Sequence, residues 1–173
     1  HLPTGGHWTR DLAFSLDSKR LFVAVGSGSN VDDPDRNPGE FHRANILEYT
    51  PDGKFVAVYG SGIRNPAGFG VNPTTGEVWC STNERDALGD NLVPDYITHV
   101  QQGGFYGWPW YYIGGHPDPR LEGKHPDWKD KVIVPDVLLQ PPNASLAFTF
   151  YDGSHFPVEY RGDLFAGQHG SWN

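Results

Sequence analysis

The feature that most restricts the fold is a recurring strand–turn–strand unit. Apolar Leu12-Ala13-Phe14 and the β-branched and aromatic run Leu21-Phe22-Val23-Ala24-Val25 bracket an Asp17-Ser18 turn, as two short paired strands require. Ile46-Leu47-Glu48-Tyr49 and Phe55-Val56-Ala57-Val58-Tyr59 flank Pro51-Asp52-Gly53. That is a hairpin signal, because Pro presets φ for a turn and Gly accepts positive φ. The rhythm returns from Gly68 to Ser81 around Asn72-Pro73-Thr74-Thr75-Gly76, and more loosely from Leu146 to Gly167 around Asp152-Gly153. No long stretch carries a helical apolar period, and 22 Gly and 15 Pro in 173 residues favour short strands and tight turns. The pattern predicts an all-β fold. Small antiparallel sheets repeating at roughly 50 residues or more predict a β-propeller, with a β-sandwich as the alternative. The chain carries roughly three to four blades, where a propeller needs about four to eight. Residues 1–173 therefore read as one partial propeller domain. The Trp-, Tyr- and Pro-rich stretch at about 104–135 reads as an ordered insertion.

Composition bounds the partners. A net charge of −8 argues against nucleic acid, which needs clustered Lys and Arg. No apolar run approaches the roughly 20 residues of a membrane span. A cation or a neutral polar ligand suits the chain better. The single cysteine, Cys80, excludes an internal disulfide, and between Trp79 and Ser81 it reads as a small buried hydrophobe. The lack of any Met, and of a signal peptide, predicts that the chain starts inside a longer polypeptide.

The stretch densest in reactive groups is Asn83-Glu84-Arg85-Asp86-Ala87-Leu88-Gly89-Asp90-Asn91, closed by Gly103-Gly104-Phe105-Tyr106-Gly107-Trp108-Pro109. Glu84, Asp86 and Asp90 alternate with residues whose carbonyls can turn inward, which suits oxygen ligation of Ca²⁺. The spacing is not that of an EF-hand, and a solvated acidic loop is the other reading. His7 stands just before the first repeat, where a near-neutral pKa makes it a candidate general base or simply a surface residue near a terminus. Arg64-Asn65 holds the same place before the second repeat. Its guanidinium fork and amide suit a planar ligand with carboxylates and carbonyls, although Asn before Pro66 is also a common turn. His169, at the end of the last repeat strand, is a further candidate for ligand contact. His116, Asp118 and His125 lack a tetrahedral zinc spacing and read as loop residues.

Taken together, these segments resemble the soluble PQQ-dependent glucose/sorbosone dehydrogenases, the quinoprotein sugar dehydrogenases, and most closely a sorbosone dehydrogenase-like branch. The matching pieces include Gly6-His7-Trp8-Thr9-Arg10, Val25-Gly26-Ser27-Gly28-Ser29-Asn30, Gly62-Ile63-Arg64-Asn65-Pro66, the whole acidic loop, and His169-Gly170-Ser171-Trp172-Asn173. The resemblance implies a six-bladed propeller that holds PQQ against Ca²⁺ at the channel mouth. It implies His7 as the base that takes a sugar hydroxyl proton, with Arg64 and Asn65 near the quinone oxygens and His169 or Gly170 also at the cofactor. Main-chain oxygens of Arg85 and Asp86 would ligate one Ca²⁺, and the Asp90 carboxylate a neighbouring one. Tyr106 and Trp108 would wall the flat ring. A sugar substrate, an external electron acceptor and a periplasmic or extracellular location follow from the same resemblance. One departure stands out: Ser27 occupies the place of the Asp that orients the catalytic His in glucose dehydrogenases. The competing readings are a metal-dependent lactonase or hydrolase propeller, which expects carboxylate and Asn ligands from separate blades, and a non-catalytic binding propeller, which the loss of that Asp would favour.

Overall fold

Each predicted turn closes through its own side chains. Asp17 accepts hydrogen bonds from the Ser15 hydroxyl (2.6 Å) and the Lys19 amide (3.1 Å), while Ser18 takes a positive φ of 58°. Asn72 Oδ1 accepts from the Thr74 and Thr75 amides at 2.8 and 3.1 Å, an Asx turn that Gly76 completes at φ 76°. These turns join strands in a computed structural model that describes residues 1–8, 10–141 and 143–170. Thr9 of the first matching segment and Ser171-Trp172-Asn173 of the last lie outside the described residues.

Thirteen strands and a few 3₁₀ turns are formed by the described residues, an all-β architecture. The first sheet is an antiparallel meander of β1 (Arg10–Phe14), β2 (Leu21–Val25), β3 (Asn45–Tyr49) and β4 (Phe55–Ser61). The second runs β5 (Asn65–Val71), β6 (Val78–Asn83), β7 (Tyr96–His99), and later adds β11 (Val137–Leu138). Within the insertion, β8 (Gly104–Phe105) pairs parallel to β4, and β9 (Tyr111–Tyr112) pairs with β10 (His116–Pro117). A last hairpin, β12 (Ser145–Phe150) and β13 (Leu164–Gln168), lies on β5. The described residues thus supply two four-stranded antiparallel sets and one further hairpin, where the sequence reading expects three to four units. The difference arises because the hairpin at 46–59 completes the first sheet and the insertion adds only two-residue strands.

The main core lies between the two large sheets, where Phe22, Ala24 and Ile46 meet Phe69, Val78, Cys80 and Tyr96. Cys80 is fully buried, and burial pushes its thiol up to about 12, so it is the inert hydrophobe the sequence predicts. The first sheet is apolar on its other face as well: Val23, Val25 and Leu47 cluster there with Leu2, Leu21 and Val58. The final hairpin approaches β5 closely because position 68 has no side chain. A Cβ on Gly68 would lie 2.2 Å from the Leu146 carbonyl oxygen. Ser145 then bonds Ser81 (Oγ to Oγ, 2.6 Å), and its carbonyl accepts from Asn83 Nδ2 (2.6 Å).

The insertion is tied to the acidic loop by one side chain. The Arg85 guanidinium has no solvent exposure and donates to Glu84 Oε2 (2.9 Å), to the Pro109 and Tyr111 carbonyls (both 2.8 Å) and to Asp118 Oδ2 (3.3 Å). Removing one member of such a buried network strands the remaining charges, which costs about 3–5 kcal/mol. Arg85→Met should therefore lower stability by that amount in urea unfolding of the full-length protein. Adding Glu84→Gln should recover part of the loss, since one fewer buried charge is left unpaired.

Candidate functional site

His7 reaches its place through three glycines' worth of close contact. Gly6, at φ 61°, lies where a Cβ would meet Gly28 Cα at 2.5 Å, and the His7 amide donates to the Ser27 carbonyl at 3.0 Å. Ser27 N in turn donates to the Arg64 carbonyl at 2.7 Å, which links the end of β2 to the start of β5. Between them sits Gly26, where a Cβ would come 2.5 Å from Asn65 Oδ1 and 2.6 Å from His7 Cβ. Only glycine there lets the histidine and the amide approach each other. The result is an open cavity of about 220 Å³ lined by His7, Arg64, Asn65 and Asp86, with Asp95 and Gly170 among the residues on its far side.

The hydrogen bonds fix the tautomer of His7. Nδ1 lies 2.9 Å from Ser27 Oγ and 3.1 Å from the Ser27 carbonyl oxygen. A carbonyl can only accept, and the Ser27 hydroxyl gives its own hydrogen to the Ser29 carbonyl at 2.6 Å. Both contacts therefore require the proton on Nδ1 and leave the lone pair on Nε2. Burial lowers the His7 pKa from its usual 6.5, the Arg64 charge lowers it further, and the Ser27 bond and Asp86 oppose the shift only in part. His7 is thus a neutral base at pH 7, with a hydroxyl and a carbonyl behind it instead of a carboxylate.

Arg64 is 5% exposed, and its donors are committed to protein oxygens. Nε binds the Asn30 carbonyl (3.1 Å), Nη1 the Asn83 and Glu84 carbonyls (3.2 and 2.6 Å), and Nη2 Asn30 Oδ1 (2.8 Å) and Asp86 Oδ2 (3.5 Å). It supplies charge to the cavity more than free N–H groups. Asn65 is less engaged: Nδ2 makes only a 3.5 Å contact to Asn83 Oδ1. Asn30 is the residue that sequence reasoning passed over. Its side chain and carbonyl bind Arg64, the Asp86 amide and the Trp108 indole, and its place just after the Gly-Ser run that follows β2 was the available signal.

The remaining candidates divide. Asp86 lines the cavity. The Arg85 side chain lies in the insertion's network, so it is a structural anchor and not the bystander that a main-chain role alone would make it. The Asp86 carbonyl accepts from Asn30 Nδ2 (3.2 Å) and Arg120 Nη1 (3.0 Å). A guanidinium on that oxygen opposes a cation at the same point, and Asp90 is exposed on a turn that does not line the cavity. Among the described residues no group of three His, Cys, Asp or Glu could hold a metal ion. In this arrangement the Arg120 guanidinium disfavours a Ca²⁺ on the Asp86 carbonyl. His169 is exposed, and it is its neighbour Gly170 that lines the cavity. Tyr106 and Trp108 do not line it either. Tyr106 is 1% exposed, with its hydroxyl on the His99 carbonyl (2.8 Å), and Trp108 is 2% exposed. Hydrogen bonds from the Tyr106 and Trp108 amides to the Ser61 and Gly62 carbonyls tie both residues to the end of β4.

A strand-built stack with a neutral histidine, a buried arginine and an amide around one polar cavity is the setting in which comparison with known proteins becomes informative. Residues 1–170 match the Glucose / Sorbosone dehydrogenase family, and the chain belongs to it. An uncharacterised protein of Borreliella burgdorferi is 33% identical over 162 residues, covering 91% of this chain and 41% of its own length. The aldose sugar dehydrogenase YliI of Escherichia coli is 29% identical over 183 residues, covering 96% and 46%. In fold, the PQQ domain of a Coprinopsis cinerea pyranose dehydrogenase superposes with a TM-score of 0.75 at 22% identity, covering 96% of this chain and 49% of that one. The chain spans less than half the length of each.

The donor set fits the carbonyl edge of a planar quinone. The Asn65 amide is nearly free, Arg64 adds positive charge, and the His7 lone pair faces no partner among the described residues. In a two-dimensional NMR titration, His7 should titrate below 6.5 and show the Nδ1–H tautomer when neutral. Ser27→Asp, which puts a carboxylate at Nδ1, should raise that pKa.

Proposed function

We propose that this chain is part of a β-propeller that oxidises an aldose or related sugar, with PQQ as the redox cofactor and His7 as the general base. Two features support the propeller. The first sheet is apolar on both faces, and the last hairpin leaves Leu146 and Phe165 exposed at 41% and 39%. Sheets of this kind call for further sheets beside them, and the relatives are more than twice as long. The YliI relative is named for aldose oxidation and the fungal structure for a PQQ domain. Both names agree with the cavity's chemistry.

The observation that carries the reading is the His7 tautomer. With Nδ1–H held by Ser27, Nε2 is the only ring atom able to accept a proton, and the lowered pKa keeps it unprotonated at neutral pH. A sugar hydroxyl brought to Nε2 would lose its proton there as its carbon is oxidised, the role of a general base. Asn65 would donate to a carbonyl of the bound cofactor, and Arg64 would stabilise negative charge developing on it. When bound, PQQ would supply an electrophilic quinone able to take the carbon-bound hydrogen of the sugar together with its electron pair, as hydride. An external electron acceptor and a periplasmic or extracellular setting belong to the same reading. Ca²⁺ belongs to this reading only if Arg120 leaves the Asp86 carbonyl, so no step is assigned to it.

The test is sugar-dependent dye reduction by the full-length protein supplied with PQQ and Ca²⁺. His7→Ala should lower turnover by about 10²–10⁴-fold while changing PQQ affinity little. Activity should also fall as the pH drops through the His7 pKa, below 6.5, because the protonated ring cannot accept a proton. Equal turnover in the variant would remove His7 as the base.

A further inference from the structure

A second, larger cavity lies on the other side of the Asn30–Trp108 contact and shares no lining residue with the first. It measures about 630 Å³, within the roughly 300–1,000 Å³ of small-molecule sites. Its walls come from two segments far apart in sequence, the loop before β3 and the insertion. They are fastened together by His125 Nε2 on Asp35 Oδ2 (2.8 Å) and Lys124 Nζ near Asp33 Oδ2 (3.5 Å). One wall is aromatic: Phe105, Trp108, Trp110 and Trp128. Phe105 and Trp110 each stand 5.1 Å from Trp128 in edge-to-face contact, and the Trp108 indole N–H is spent on the Asn30 carbonyl at 3.0 Å. Trp108 therefore offers carbon surface, while the buried Trp110 indole N–H has no partner among the described residues.

The opposite lining sets two polar side chains, Asn45 and Ser61, among apolar Pro34, Pro38, Phe41 and Ala44. Asn45 and Ser61 are direct partners in the β3–β4 register, so their side chains share one face. The Asn45 amide has no hydrogen-bond partner among the described residues, and Ser61 Oγ makes only a 3.3 Å contact to the Gly104 carbonyl. An apolar ligand would leave that amide and hydroxyl unmatched. The charged lining groups are turned to the protein: both Glu40 oxygens are bound by Gly28 N and Ser29 Oγ, and Arg43 gives Nη1 to the Gly5 and Gly26 carbonyls and Nη2 to the Thr4 carbonyl, with its unpartnered Nε buried. A ring with C–H faces for the indoles and hydroxyls for the amide satisfies both walls.

We propose that this cavity binds a neutral saccharide, separately from the His7 site. The experiment is a titration of the full-length protein, without PQQ, by a panel of neutral mono- and disaccharides, read by indole fluorescence and saturation-transfer NMR. At least one sugar should bind saturably. Asn45→Ala and Trp128→Ala should each weaken it at least tenfold, and His7→Ala should leave it unchanged. Trp128→Phe should retain most of the binding, which separates loss of the aromatic platform from collapse of the insertion. No saturable binding by any sugar overturns the proposal, and so does binding that survives Asn45→Ala and Trp128→Ala but disappears in His7→Ala. Because PQQ is absent, failure here leaves the redox reading intact, and failure of PQQ binding would leave this result standing.

Discussion

The buried Arg85 guanidinium is the constraint on which the rest of the molecule depends. It carries a charge into a region with no solvent, between Glu84 on one side and Asp118 on the other. Desolvating such a group is unfavourable unless every neighbour answers it. The answers come from the insertion, whose Pro109 and Tyr111 carbonyls point inward at Arg85. Asp118 is also held by Arg120, and although burial pushes its carboxyl upward, the Arg120 bonds and the Arg85 charge keep it below the usual range. The acidic loop and the aromatic insertion are thus one electrostatic unit. Both cavities take their shape from it: Asp86 follows Arg85 into one, and Trp110 follows Pro109 into the other.

A second theme is the use of neutral partners where charge might be expected. His7 is oriented by a hydroxyl and a carbonyl, and Arg64 mainly by amide oxygens of the chain and of Asn30, with the Asp86 carboxylate farther off at 3.5 Å. Without a carboxylate on Nδ1, the imidazole keeps a low pKa and stays unprotonated beside two arginines, Arg64 and Arg43. The arrangement gives up base strength for availability near neutral pH, a trade that follows from the electrostatics of the pocket.

Much of this was legible in the residues themselves. The turns at Asp17-Ser18, Pro51-Asp52-Gly53 and Asn72–Gly76 announce their hairpins, since those side chains close their own backbone. His7 and Arg64-Asn65 stand at equivalent points of two repeats, which is why they share a cavity. Less legible was anything that depends on a long-range partner. Arg85 read as one basic residue in an acidic loop, and only Asp118, 33 residues on, shows that it is buried. Tyr106 and Trp108 read as cofactor walls because they are aromatic and near a candidate site in sequence. Their backbone bonds hold them at the end of β4, and neither lines the cavity.

The sequence by itself determined the all-β character, the hairpins, the buried Cys80 and the equivalent placing of His7 and Arg64-Asn65 before two repeats, because these follow from local turn chemistry and period-two patterning. Tertiary structure alone decided which nitrogen of His7 carries the proton, that Arg64 and the Asp86 carbonyl are already engaged, and that a second cavity opens between the loop before β3 and the insertion. Those outcomes depend on which donors and acceptors meet across 20 to 80 residues of chain. A hydrogen bond over that distance leaves no period or composition for a linear reading to detect.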